Sequence, residues 1–148
     1  MIPEFRDDGY LPEGLHLATD ADIAFRFGTA STIGTASTKR RRLILRLRRW
    51  IELSRLIRAK RFFVDGSFVA DKNEPNDVDA VVWLPEDFAD RIHRGEIEAL
   101  ELETMLLTRR PEEIFAAEDR RDWEEWLEFF GRTRESDKRR KGLVEVEL

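Results

Sequence analysis

Between Lys39 and Ala59, core-type residues return at intervals of three and four. Leu43, Leu47, Trp50, Ser54 and Ile57 trace one line, and Ile44, Ile51 and Leu53 widen it. This spacing predicts a helix that starts at a Ser37 or Thr38 cap and runs to about Ala59. Arg42, Arg46, Arg48, Arg49 and Arg55 take its other faces, so a core helix with a basic back is expected. The period then shortens. Arg61 to Phe68 reads as a strand through Phe62, Phe63 and Val64, and Asn73, Pro75 and Asn76 mark a turn. Asp77 to Leu84 is almost continuously apolar, which predicts a strand buried on both faces beneath helices. Helices are expected at Glu86 to His93, at Glu96 to Thr108 (ended by Pro111) and at Asp119 to Gly131. The last carries Trp123, Trp126, Leu127 and Phe130 at helical spacing, a stripe that predicts core packing. Glu113 to Ala117 and Leu143 to Leu148 complete the strands.

The front of the chain has no such period. Pro3, Gly9, Pro12 and Gly14 predict an irregular arm over residues 1–18. Thr19-Asp20-Ala21-Asp22 has the form of a capped helix start, and that short helix should stop at Gly28. Residues 28–38 contain Gly-Thr-Ala-Ser-Thr twice, around Ile33. Small polar residues in direct repeat predict a flexible, tolerant loop. Together these elements predict one α+β (α/β-like) domain over residues 1–148, a small mixed sheet covered by helices.

Charge alters this picture by its distribution. The net charge is −5, yet Lys39 to Arg61 holds eleven basic residues against one acid, and Glu86 to Glu128 fifteen acids against six arginines. The two segments either neutralise each other or form opposed surfaces, of which the basic helix 39–61 would suit RNA phosphates. No cysteine occurs, which excludes disulfides and thiolate metal sites. No apolar run is long enough for a transmembrane helix and no signal-peptide pattern opens the chain. A cytoplasmic protein that does not enter a membrane is expected.

The candidate chemistry lies at the turn between the first two strands. Residues two apart on a strand share a face, with Cα atoms roughly 6.5 Å apart. Asp77 and Asp79 should therefore converge at the strand's entry. A divalent cation, magnesium or manganese, relieves the repulsion of such a pair and accepts phosphate oxygens as its other ligands. Gly66 permits close backbone approach, and Ser67 offers an amide and a hydroxyl to a phosphate. Lys72, in the same turn, is within reach of a nucleotide.

Gly66-Ser67 followed after nine residues by Asp77-Val78-Asp79 resembles the signature of the polymerase-β-type minimal nucleotidyltransferases. More closely, the chain is similar to an uncharacterised prokaryotic family of small nucleotidyltransferase-like proteins. The likeness lies in the arm Ile2 to His16, the core Asp65 to Asp79 and the tail Lys141 to Leu148. It implies a nucleotidyltransferase-like fold and transfer of a nucleoside monophosphate from a nucleoside triphosphate to a hydroxyl of protein, RNA or a small molecule. It further implies Asp77 and Asp79 as magnesium ligands, and Gly66 and Ser67 as triphosphate ligands. The superfamily's third carboxylate, usually an Asp on a neighbouring strand, is not evident downstream, and Glu113 is the nearest substitute as ligand and catalytic residue. The alternative is a nucleotidyltransferase-fold interaction protein, such as a toxin–antitoxin or defence-system component, that uses its charged faces to bind a partner protein.

Overall fold

The computed structural model describes residues 2–29, 38–108 and 112–148. Most of the repeat expected to be flexible, and Pro111, lie outside them. The strands are β1 (Gly14–Ala18), β2 (Arg61–Asp65), β3 (Val78–Trp83), β4 (Glu112–Ala117) and β5 (Gly142–Val146). They form one sheet in the order β1-β5-β2-β3-β4, antiparallel around β2 and parallel at both outer pairs. The expected mixed sheet of an α+β fold is thus observed.

The helices are α1 (Asp20–Ile23), α2 (Thr38–Leu56), α3 (Phe88–His93), α4 (Ile97–Leu107) and α5 (Arg120–Phe130). Thr19 caps α1 through a reciprocal box: its hydroxyl accepts from Asp22 N at 3.0 Å, and the Asp22 carboxylate accepts from Thr19 N at 3.1 Å. A π-helical turn over Ala24–Thr29 continues it. The α2 stripe is buried as its spacing requires, Leu43, Leu47, Trp50 and Leu53 completely.

Strand alternation assigns each face its cover. Phe62, Val64, Val78, Ala80 and Val82 join the larger core beneath α1, α2 and α4. Phe63, Val81 and Phe115 face the other way, onto Trp123, Trp126 and Phe130 of α5. The edge of the Trp123 ring meets Phe63 at a centroid distance of 5.2 Å, a favoured aromatic geometry.

The first 18 residues are not irregular throughout. Gly14 to Ala18 is β1, a parallel strand in register with Gly142 to Val146. Its partner lies at the other end of the chain, and only Leu15 and Leu17 supply an apolar period, so local pattern does not reveal it. The preceding residues are tied to the segments that follow β2 and α5. Gly9 O accepts from Asp71 N at 2.8 Å, Arg6 donates to Arg140 O at 2.9 Å, and Tyr10 OH donates to Glu135 at 2.8 Å.

The charged halves meet in part. Arg49 forks onto Glu101 of α4 at 2.5 and 2.6 Å, and Arg55 donates to Asp20 at 3.0 Å. Arg41, Arg46 and Arg48 make no ion pair with a described residue. Neutralisation therefore covers Arg49 and Arg55, while Arg41 and Arg48 stay exposed on the helix.

Candidate functional site

The alternation that buries Phe63 and Val81 under α5 carries Asp65 and Asp79 to the same face, one step further along. They stand in register across β2 and β3. Glu113 is in register with Asp79 on the other side, across β3 and β4. Three neighbouring strands thus present acids at one end of one sheet face, where α5 finishes and no longer covers it.

A cleft of about 870 Å³ opens there, within the roughly 300–1,000 Å³ typical of small-molecule sites. Gly66, Ser67, Lys72, Asp77 and Asp79 all line it. The sequence-derived residues are therefore brought together, with one exception. Glu113 shares the face of Asp79 but is not among the lining residues. The third acid in the cleft wall is Asp65, only 4% exposed and gripped by Lys141 at 2.5 Å. The motif does not single out Asp65, because it directs attention for a third carboxylate downstream of Asp79. The alternation Phe63, Asp65 is the signal that could have found it.

Gly66 has φ +95°, a region that side-chain-bearing residues rarely adopt. A Cβ there would meet Asp77 O at 3.0 Å, Asp79 N at 3.1 Å and Val78 Cα at 3.1 Å. The close approach that needs glycine is thus to the backbone of the acidic strand. Ser67 serves the same strand. Its amide and hydroxyl donate to Asp77 Oδ1 at 3.0 and 2.5 Å, and the hydroxyl accepts from Asn76 N and Asp77 N at 2.9 and 3.2 Å. Ser67 therefore holds Asp77 rather than pointing an idle hydroxyl at a ligand.

The loop's other support is Arg40, buried in the first turn of α2. Its guanidinium donates to the carbonyls of Phe27 (3.1 Å), Phe68 (2.7 Å), Ala70 (3.1 Å) and Lys72. A planar fork with five donors suits a cluster of carbonyls. Beside it, Lys39 donates to Asn76 at 3.2 Å, so the basic start of α2 reaches the cleft edge.

The electrostatics are uneven. Burial, then the charges of Asp77 and Asp65, push the Asp79 carboxyl up to about 8. Asp77 moves down despite its burial, because Ser67 donates to it twice, Arg134 lies near, and hydrogen bonding from the Asp79 carboxyl favours its ionised form. Burial pushes Asp65 up against the pull of Lys141. One proton held between two close carboxyls is the expected response of such a pair without a cation. Among the described residues, no group of three or more His, Cys, Asp or Glu side chains is placed to hold a metal ion. The donors that fit one are the paired oxygens of Asp77 and Asp79, a number magnesium accepts when waters and phosphates complete its shell.

Beside the acids, residues after α5 supply positive charge: Arg132, Arg134, Lys138 and Lys141 line the cleft. Arg134 is 89% exposed in its side chain and reaches to 3.9 Å from Asp77. The motif does not point to this wall; its one signal in the sequence is the six basic residues between Arg132 and Lys141. His16, in the arm, donates to or accepts from nothing in the cleft and contacts Pro12 O at 2.7 Å.

An α+β protein with acidic and basic side chains gathered in one cleft at the end of its sheet is the class that the fold and site define. The chain belongs to a family of unknown function (DUF6932), whose profile matches residues 3–147. No curated protein and no solved structure matches it. The family places the chain without assigning a reaction. In the described residues, no helix is long and apolar enough to cross a membrane.

Proposed function

We propose that the cleft binds a nucleoside triphosphate with magnesium or manganese and transfers its nucleoside monophosphate to a hydroxyl. The observation that carries this reading is that Asp77 and Asp79 share one cleft with Arg132, Arg134 and Lys138. The sequence resemblance around Gly66, Ser67, Asp77 and Asp79 supports it. Asp77 and Asp79 would hold the cation, which when bound neutralises phosphate charge and orients the α-phosphate. Ser67 fixes Asp77, and Gly66 and Arg40 fix the turn that carries them. The basic wall and Lys72 hold the β- and γ-phosphates.

In the reaction the acceptor oxygen bonds to the α-phosphorus, and the bond from that phosphorus to the bridging oxygen breaks. Pyrophosphate leaves with the bonding electrons. The hydroxyl proton passes to a carboxylate, for which Glu113 and Asp65, flanking Asp79 in register, are the candidates. Catalysis of this kind rests on positioning and charge neutralisation. Arg41 and Arg48, exposed on α2 and in no ion pair with a described residue, favour an anionic acceptor such as RNA. A cytoplasmic setting, where nucleotides are available, belongs to the same reading.

A second reading has its own observation. The lack of a three-acid metal group among the described residues favours a catalytically silent interaction protein, including a toxin–antitoxin or defence component. Incubation with α-labelled nucleoside triphosphates, magnesium, RNA and the product of a neighbouring gene separates the two. Label transfer that is lost in Asp77→Asn supports the enzyme. Nucleotide binding without transfer to any acceptor supports the silent protein.

A further inference from the structure

The phosphate side of the cleft leaves open what holds the rest of a nucleotide. Three aromatic residues line the cleft: Tyr10, Phe129 and Phe130. The Tyr10 ring is already engaged, with Arg139 at 5.7 Å and Lys141 at 5.6 Å from its centroid. Phe130 is 6% exposed and packs into the second core against Phe63 and Phe115. Phe129 alone of the three is open, 67% exposed. Its ring meets Trp126 and Phe130 in T-shaped contacts, at centroid distances of 6.0 and 5.0 Å. These contacts brace the ring without covering it.

A large exposed aromatic at the last turn of a helix is costly to leave in water unless something covers it. Phe129 stands at the border of this cleft and of a smaller hollow lined by Ala116, Asp122, Glu125 and Trp126, and on the cleft side its neighbours in the chain are basic. Arg132 and Arg134 follow Phe129 within five residues. An open aromatic ring and two cations thus lie within one six-residue segment that lines the cleft. That juxtaposition suits a nucleobase beside its phosphate chain.

We infer that Phe129 is the platform on which the base of the bound nucleotide stacks. This rests on the nucleotide-binding reading of the cleft and adds the residue that grips the base. Stacking on an aromatic face tolerates every base because each has a π-face, with purines favoured by area. The site therefore selects nucleotides over other polyphosphates but discriminates weakly among bases.

The test compares ATP, CTP and inorganic tripolyphosphate, each with magnesium, by isothermal titration against the parent, Phe129→Ala and Phe129→Trp. The parent should bind ATP more tightly than tripolyphosphate. Phe129→Ala should weaken ATP binding roughly tenfold or more and leave tripolyphosphate unchanged, and Phe129→Trp should restore it. Thermal melting of each variant checks that the fold is intact. Equal ATP affinity in the parent and Phe129→Ala, with tripolyphosphate still bound, would overturn the stacking role and leave the phosphate site standing. Failure of the parent to bind any of the three would remove both.

Discussion

Substituting Asp79 with Asn should make the metal-free protein more stable at neutral pH, by an amount that grows with pH. The Asp79 carboxyl is 7% exposed, and its burial and neighbours raise it to about 8 from an ordinary value of 3.8. An acid whose folded pKa is raised costs nothing below its unfolded pKa, where both states are protonated. Above that point the unfolded chain ionises freely and the folded one does not, so stability falls until the folded pKa is passed. Each pH unit in that window is worth about 1.4 kcal/mol, which gives a burden of about 4 kcal/mol at pH 7. Asn removes that burden while keeping shape, but a buried amide recovers less than the full amount. A net gain of about 2–3 kcal/mol at pH 7 follows, on the same arithmetic less about 1–2 kcal/mol for the amide. The assay is urea denaturation in chelator at pH 4, 5, 6, 7 and 8. Near pH 4 the Asp79→Asn variant should be the less stable by about 1–2 kcal/mol, drawing level with the parent at about pH 5 and gaining about 1.4 kcal/mol per pH unit to pH 8. A difference that stays flat across this range, or a variant less stable at pH 7, would refute the proton-sharing account of the acidic pair.

Arg40→Leu leaves four buried carbonyl contacts unmade and should destabilise the fold by roughly 3 kcal/mol or more in urea, with Arg40→Lys intermediate; an effect under about 1 kcal/mol would show that the guanidinium does not organise the loop. Gly66→Ala should cost roughly 2 kcal/mol and displace the acidic strand, which heteronuclear NMR shifts at Asp77 to Asp79 would report; unchanged shifts would remove glycine's role there. Asp8 is held down to about 2 from 3.8, first by Arg139 and then by Arg6 and Tyr10 N. Its contribution should therefore be complete above pH 3.8 and disappear as pH falls toward 2, so Asp8→Asn and parent midpoints should merge in that window. Glu113→Gln should leave the melting temperature nearly unchanged. If it also leaves transfer unchanged while Asp65→Asn abolishes it, the proton-accepting carboxylate is on β2.

The periodic elements are legible in the sequence because their signals are local. The α2 stripe, the apolar run Val78 to Leu84 and the α5 aromatics each state their own period. Asp77 and Asp79 follow from that period alone. What escapes depends on contacts between distant residues. Strand β1 exists because Gly142 to Val146 returns beside it, and nothing within Gly14 to Ala18 announces that pairing. Asp65 joins the site only through register with Asp79, and the basic wall only through the fold of the segment after α5. Arg40 looks in sequence like the basic residues on either side of it, and burial alone distinguishes it. Gly66 and Ser67 belong to the site as their spacing suggests, but their immediate neighbour is the acidic strand. Spacing alone does not separate a glycine that meets a ligand from one that meets a strand.

The most direct test is a titration of the protein with manganese, followed by electron paramagnetic resonance, with and without a nonhydrolysable nucleoside triphosphate. The account predicts weak binding of the ion alone, since two carboxylates are the donors, and binding at least roughly tenfold tighter with nucleotide, whose phosphates complete the shell. The double substitution Asp77→Asn with Asp79→Asn should abolish the coupled binding while the protein remains folded. Manganese affinity that is unaffected by nucleotide, or that survives loss of both aspartates, would contradict the assignment of this cleft.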